Sequence, residues 1–95
     1  MSISFIIKFE VKEDAKAEFS SVMNNVRLNL PESRGCISVD IHRGSENESS
    51  YILVEKWETR EFHEKHVEGL LSSGEWEKMA SLLSEEPTGE YYTKM

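Results

Sequence analysis

The sequence predicts one α+β domain in which a strand, a helix, a two-strand hairpin, a helical region and a last strand follow in order, the strands forming an antiparallel sheet. Three observations lead there. Apolar residues occupy every second position from Ile3 to Val11. They return at helical spacing from Ala15 to Leu30. Two β-branched and aromatic segments, Cys36 to Arg43 and Ser50 to Trp57, flank the polar turn Gly44-Ser45-Glu46-Asn47-Glu48-Ser49.

In the first strand Ile3, Phe5, Ile7, Phe9 and Val11 share one face, while Ser2, Ser4, Lys8 and Glu10 take the other. Ile6 interrupts the polar row, so the second face is expected to be partly covered. Glu13 and Asp14 then place negative charge where a helix N-terminus favours it, and Ala15, Phe19, Val22, Met23, Val26 and Leu30 form one stripe. Pro31 disfavours helical geometry at the residue before it and Gly35 permits a turn, which ends the helix near Leu30. In the hairpin, Ile37, Val39 and Ile41 alternate with Ser38, Asp40 and His42, and Ile52 and Val54 alternate with Tyr51, Leu53, Glu55 and Trp57; either set can face the helices.

Thr59 is the expected N-cap of a second helix with a stripe of Phe62, His66, Val67, Leu70 and Leu71. Ser72-Ser73-Gly74 interrupts it, a short helix carries Trp76, Met79, Ala80, Leu82 and Leu83 inward, and a last strand runs from Thr88 to Lys94. This order is ferredoxin-like, βαββαβ, with both helical regions on one sheet face. The other face is left bare, with residues such as Ile6, Leu53, Tyr51 or Tyr91 expected on it. A second copy covering that face would remove an apolar patch, and a symmetric homodimer is the commonest closed form.

A chain of 95 residues with 38% hydrophobic content supports one core, so residues 1–95 are read as a single domain. Eighteen acidic residues against 11 basic ones give a net charge of −7, and no Lys or Arg run could track a phosphate backbone. The reading is therefore no nucleic acid and no membrane. Cys36, the single cysteine, rules out an intrachain disulfide and a multi-thiolate metal site, and with no signal-like or membrane-length apolar run it points to the cytoplasm.

The candidate chemistry centres on His66. On the apolar stripe it points to the sheet near Trp57, where a half-desolvated imidazole could serve as a general base near neutral pH, taking a phenolic or enolic proton. The other reading is a core histidine satisfied by a carbonyl or by Glu55. Trp57 could form a flat wall against an aromatic substrate, or pack the core. Phe62 and Trp76 are read as further substrate-binding positions, Trp76 more readily as core. Glu55 is read as orienting an imidazole or pairing at a dimer interface. His63, one turn before His66, is expected to be exposed, and no metal site is expected from that spacing. Cys36 reads as a structural thiol, with no basic neighbour to lower its pKa.

The run Val54-Glu55-Lys56-Trp57-Glu58-Thr59-Arg60-Glu61-Phe62-His63-Glu64-Lys65-His66 resembles the signature of the antibiotic-biosynthesis-monooxygenase family, in which a strand ending Glu-x-Trp leads to a helix with an inward His. Glu55, Trp57 and His66 match those positions, and Gly35-Cys36 is also similar. The resemblance implies a dimeric α/β barrel with a pocket between sheet and helices in each protomer. It further implies a monooxygenase that needs no metal or organic cofactor and acts on a small hydrophobic, aromatic or quinol-type molecule. The alternative is a non-catalytic dimeric small-molecule-binding or stress-associated module. Leu71 stands where several enzymatic relatives carry a second His, and the first strand lacks the Asn of the haem-degrading branch.

Overall fold

A computed structural model describes residues 2–95. Strand β1 spans Ile3–Glu10, helix α1 Lys16–Asn29, the hairpin strands β2 Cys36–Arg43 and β3 Ser50–Trp57, helices α2 Arg60–Ser73 and α3 Glu75–Ala80, and strand β4 Thr88–Tyr92. The four strands form an antiparallel sheet in the order β2-β3-β1-β4, so the expected βαββαβ ferredoxin-like arrangement is the one observed. Single 3-10 turns at Glu13–Ala15 and Leu30–Glu32 flank α1, and Val11 leaves β1 to form an isolated bridge with Leu83.

The register settles which strand faces meet the helices. Phe9 lies opposite Tyr51, Ile7 opposite Leu53 and Phe5 opposite Glu55, so these residues share a face with Trp57. Tyr51 and Leu53 are therefore buried in the core rather than on the bare face, and Tyr91, opposite Phe5, joins the helix side too. Of the residues expected on the bare face only Ile6 lies there, beside its partner Val54 and near Ile52.

The α1 stripe packs as its spacing indicates. Phe19 is fully buried between Phe9 and Tyr51, with ring centroids 5.3 and 5.0 Å away. Met23, Val22 and Val26 continue the contact, and Leu30 closes it. Thr59 caps α2, its Oγ1 accepting the Phe62 N–H at 3.3 Å, and Gly74 ends the helix in the left-handed region at φ 83°. Gly35, also at φ 83°, presents no Cβ to Phe62; any side chain there would run into that ring. The close approach seats α2 against the start of β2, and the Glu58 N–H donates to the Gly35 carbonyl at 2.8 Å.

The contact face of α2 differs from the expected one. His63 is its one fully buried residue, Phe62, His66, Val67 and Leu70 are half-buried, and Leu71 is exposed. The inward set is thus 63, 66, 67 and 70, the i, i+3, i+4, i+7 pattern, rotated from a stripe starting at Phe62. No helix among the described residues is long and apolar enough to cross a membrane.

Candidate functional site

The site grows from one row across the sheet. Glu55 on β3, Phe5 on β1 and Tyr91 on β4 lie side by side in register. The ring of His63 lies above Phe5 with centroids 4.2 Å apart, so it spans the distance between the two outer members of the row. Its Nδ1 is 2.6 Å from the Tyr91 hydroxyl and its Nε2 is 3.7 Å from Glu55 Oε1. The same carboxylate oxygen accepts the indole N–H of Trp57 at 2.9 Å.

Trp57, two residues further along the same strand face, is completely buried. Both α2 histidines rest against it, His63 at 5.5 Å and His66 at 5.4 Å between ring centroids. Its N–H is already used by Glu55, so the expected substrate wall is instead a support beneath the catalytic candidates. The expectation that His63 is exposed is likewise overturned. An aromatic floor and the Tyr91 phenol, at hydrogen-bond distance from Nδ1, offset the cost of burying this imidazole, and the Glu55 carboxyl lies 3.7 Å from Nε2.

Burial sets the charge states. It pushes the Glu55 carboxyl up to about 7, against the opposing effect of the Trp57 hydrogen bond. It pulls His63 down to about 4, helped by the neighbouring His66 and Arg60 charges. His66 is lowered by burial too, with Glu75 acting in the other direction. At neutral pH both imidazoles are therefore uncharged, and Glu55 retains a substantial fraction of its proton. The Tyr91 phenol is raised by burial, with the Arg60 guanidinium, 4.3 Å over its ring, opposing that shift. Cys36, half-buried, has its thiol raised by burial and then by the Glu55 charge, which keeps it protonated and a poor nucleophile.

Between the sheet and the three helices lies an open cavity of about 1010 Å³. Its walls are mostly apolar, with Phe5, Leu53, Val26, Leu70, Trp76 and Met79 prominent; Glu55, His63 and His66 supply polar groups at the sheet end. Trp76 lines the cavity and also packs against the core. Phe62 does not: it lines a second cleft of about 820 Å³ on the outer side of α2, under the Arg34 guanidinium. His66 borders both spaces, and its ring makes no hydrogen bond to the described residues. Glu55 faces the helices rather than the open sheet face, so it does not pair through that face. Asp40 and His42 lie on the open face. No group of three potential metal ligands comes together among the described residues.

Two of the site's members were not singled out from the sequence. Apolarity weights helix stripes toward Phe62 and so turns His63 outward, and Tyr91 reads only as a sheet residue. The signal that finds them is the pairing register, which puts Tyr91 and Glu55 on either side of Phe5.

The family model of the antibiotic biosynthesis monooxygenases matches residues 2–80. Among solved structures, a conserved protein from Methanosarcina mazei superposes with a TM-score of 0.88 at 19% identity, over 100% of this chain and 94% of that one. A Bordetella bronchiseptica protein bearing the family's name reaches 0.81 at 27% identity, over 99% and 97%. SnoaB, a cofactor-independent oxygenase from Streptomyces nogalater, gives 0.81 at 19% identity, over 98% and 92%. No curated protein matches the sequence.

Proposed function

The chain belongs to the antibiotic biosynthesis monooxygenase family, and on that premise we propose that it is a cofactor-independent monooxygenase acting on a small hydrophobic molecule of aromatic or quinol type. The observation that carries this reading is the His66 imidazole, uncharged at neutral pH, facing an apolar cavity with room for a polycyclic ring system. A substrate seated against Trp76, Leu53 and Phe5 would present its phenolic or enolic hydroxyl to His66.

His66 takes that proton, leaving an electron-rich anion in a mostly apolar space where its charge is poorly solvated. The anion passes an electron to dioxygen and the two radicals combine at the ring carbon, forming a carbon-oxygen bond. Trp57 lies against His66, with ring centroids 5.4 Å apart, and backs the base at the edge of the cavity. The likeness to SnoaB supports the oxygenase reading at the level of fold.

Oxygen consumption over a panel of phenols, quinols and enolisable aromatic ketones tests this. We expect uptake with at least one member, and a loss of about 10²-fold or more in His66→Ala with ligand binding retained. Binding without oxygen uptake anywhere in the panel would instead establish a capture module.

A second copy pairing across the open sheet face is part of the same proposal. Ile6, Ile52 and Val54 form an apolar strip there, with Ile52 39% exposed. Sedimentation is expected to give a dimer, and an Ile52→Lys change to shift it toward monomer; a monomer at all concentrations contradicts the pairing.

A further inference from the structure

Removing one proton does not complete the oxygenation of an enolisable carbon, because the peroxide formed with dioxygen must itself be protonated and then cleaved. Resting on the oxygenase reading above, we infer that Glu55 is a second catalytic residue, the acid that protonates this peroxide and the base that then takes the carbon-bound proton. Glu55 borders the cavity beside the same indole that backs His66. Its carboxyl is held from one side by the Trp57 N–H, and its other neighbour, His63, is pinned by Tyr91.

His63 and Tyr91 are positioning residues in this scheme. An imidazole kept uncharged offers Glu55 no counter-ion, so the carboxyl retains a proton where an Arg or Lys partner would strip it. Other titratable and charged groups near this end of the site are Cys36 from β2, whose thiol stays protonated, His66 and Arg60, which act on His63, Glu64, which acts on Tyr91, and Glu75, which lines the cavity and acts on His66.

The steps balance without any further reagent. His66 accepts the enolic proton, and the carbanion and dioxygen join as a peroxide anion at a carbon that still bears hydrogen. The Glu55 carboxyl protonates the terminal oxygen. The Glu55 carboxylate then removes the carbon-bound proton as the O–O bond breaks. The electron pair of the C–H bond forms the carbonyl, and the departing hydroxide takes the proton from the His66 imidazolium as water. One methylene and one dioxygen become one ketone and one water, with both side chains returned to their starting states.

The test uses the full chain with 1,8-dihydroxyanthrone, which carries an enolisable methylene between aromatic rings. Oxygen uptake, hydroperoxide and ketone are followed against pH in the natural protein, Glu55→Gln and His66→Ala. Glu55→Gln keeps the side-chain shape and an oxygen to accept the Trp57 N–H. We expect it to consume oxygen yet accumulate hydroperoxide, with ketone formation slowed about 10²-fold. The alkaline fall in rate near the Glu55 pKa should also disappear. Ketone formation at the natural rate with the alkaline limb intact overturns the acid role while leaving the oxygenase reading standing. No uptake of oxygen with this anthrone by the natural protein overturns the acid role, and no uptake across the whole panel of phenols, quinols and enolisable ketones overturns the oxygenase reading as well. A carbon-13 titration of the Glu55 carboxyl guards against a folding artefact: loss of its proton in the ordinary range near about 4.3 also overturns the acid role.

Discussion

Trp57→Ala is expected to destabilise the domain by about 3–5 kcal/mol, the largest loss of any single replacement in the site. The indole has essentially no exposed surface, and it supports His63, His66 and Glu55 together. Truncation opens a cavity and leaves the buried Glu55 carboxyl without its donor. Urea unfolding separates the two effects. Trp57→Phe retains most of the volume but not the N–H, so its cost should approach the roughly 1–3 kcal/mol of an unsatisfied buried polar group. For a domain whose whole stability is of order 5–10 kcal/mol, the alanine variant sits near the edge of folding. A loss below about 1 kcal/mol would mean that the indole is not the support the geometry makes it.

The second large effect is a change in how stability depends on pH. Glu55 is raised from 4.5 to about 7, so between those values the folded chain holds a proton that the unfolded chain has released, and this group lowers stability as pH rises. His63 is lowered from 6.5 to about 4, so there the unfolded chain holds the extra proton, and this group raises stability as pH rises. From about 4.5 to 6.5 the two slopes oppose each other. Glu55→Gln removes one of them. The variant should match the natural protein at pH 4, gain on it steadily, and be more stable by about 3 kcal/mol above pH 7.5. His66, also lowered, adds to the rising slope in both proteins and drops out of the difference. Equal pH profiles would show that Glu55 ionises freely in the folded chain.

The sheet and helices were legible because their signals are local. Alternation in β1, the Ala15-to-Leu30 stripe, the Thr59 cap and Pro31 each act within a few residues, and each element lies within a few positions of its expected bounds. What the pattern left open was orientation. Tyr51 and Leu53 could face either way until pairing with Phe9 and Ile7 fixed them inward, since a strand's two faces differ only by one residue of register.

The site was half legible for the same reason. Glu55, Trp57 and His66 belong to one continuous run and were found. His63 lies in that run too, but its burial depends on Phe5 below it and Tyr91 beyond it, residues 58 and 28 positions away in opposite directions. A helix stripe read by apolarity rotates toward Phe62, because nothing local reveals that this histidine will meet a distant phenol at one ring nitrogen and a carboxyl near the other. A strand-end aromatic such as Trp57 reads as a pocket wall; in the fold the helix that follows runs back over it.

The most direct test of the account is the fate of labelled dioxygen. The natural protein, stripped with a chelator, is given 1,8-dihydroxyanthrone under ¹⁸O₂, and the product and water are analysed by mass spectrometry. The account expects a ketone carrying one ¹⁸O atom, the second ¹⁸O in water, and a rate above buffer that falls by about 10²-fold or more in His66→Ala. A ketone without label, or turnover no faster than buffer, would contradict it.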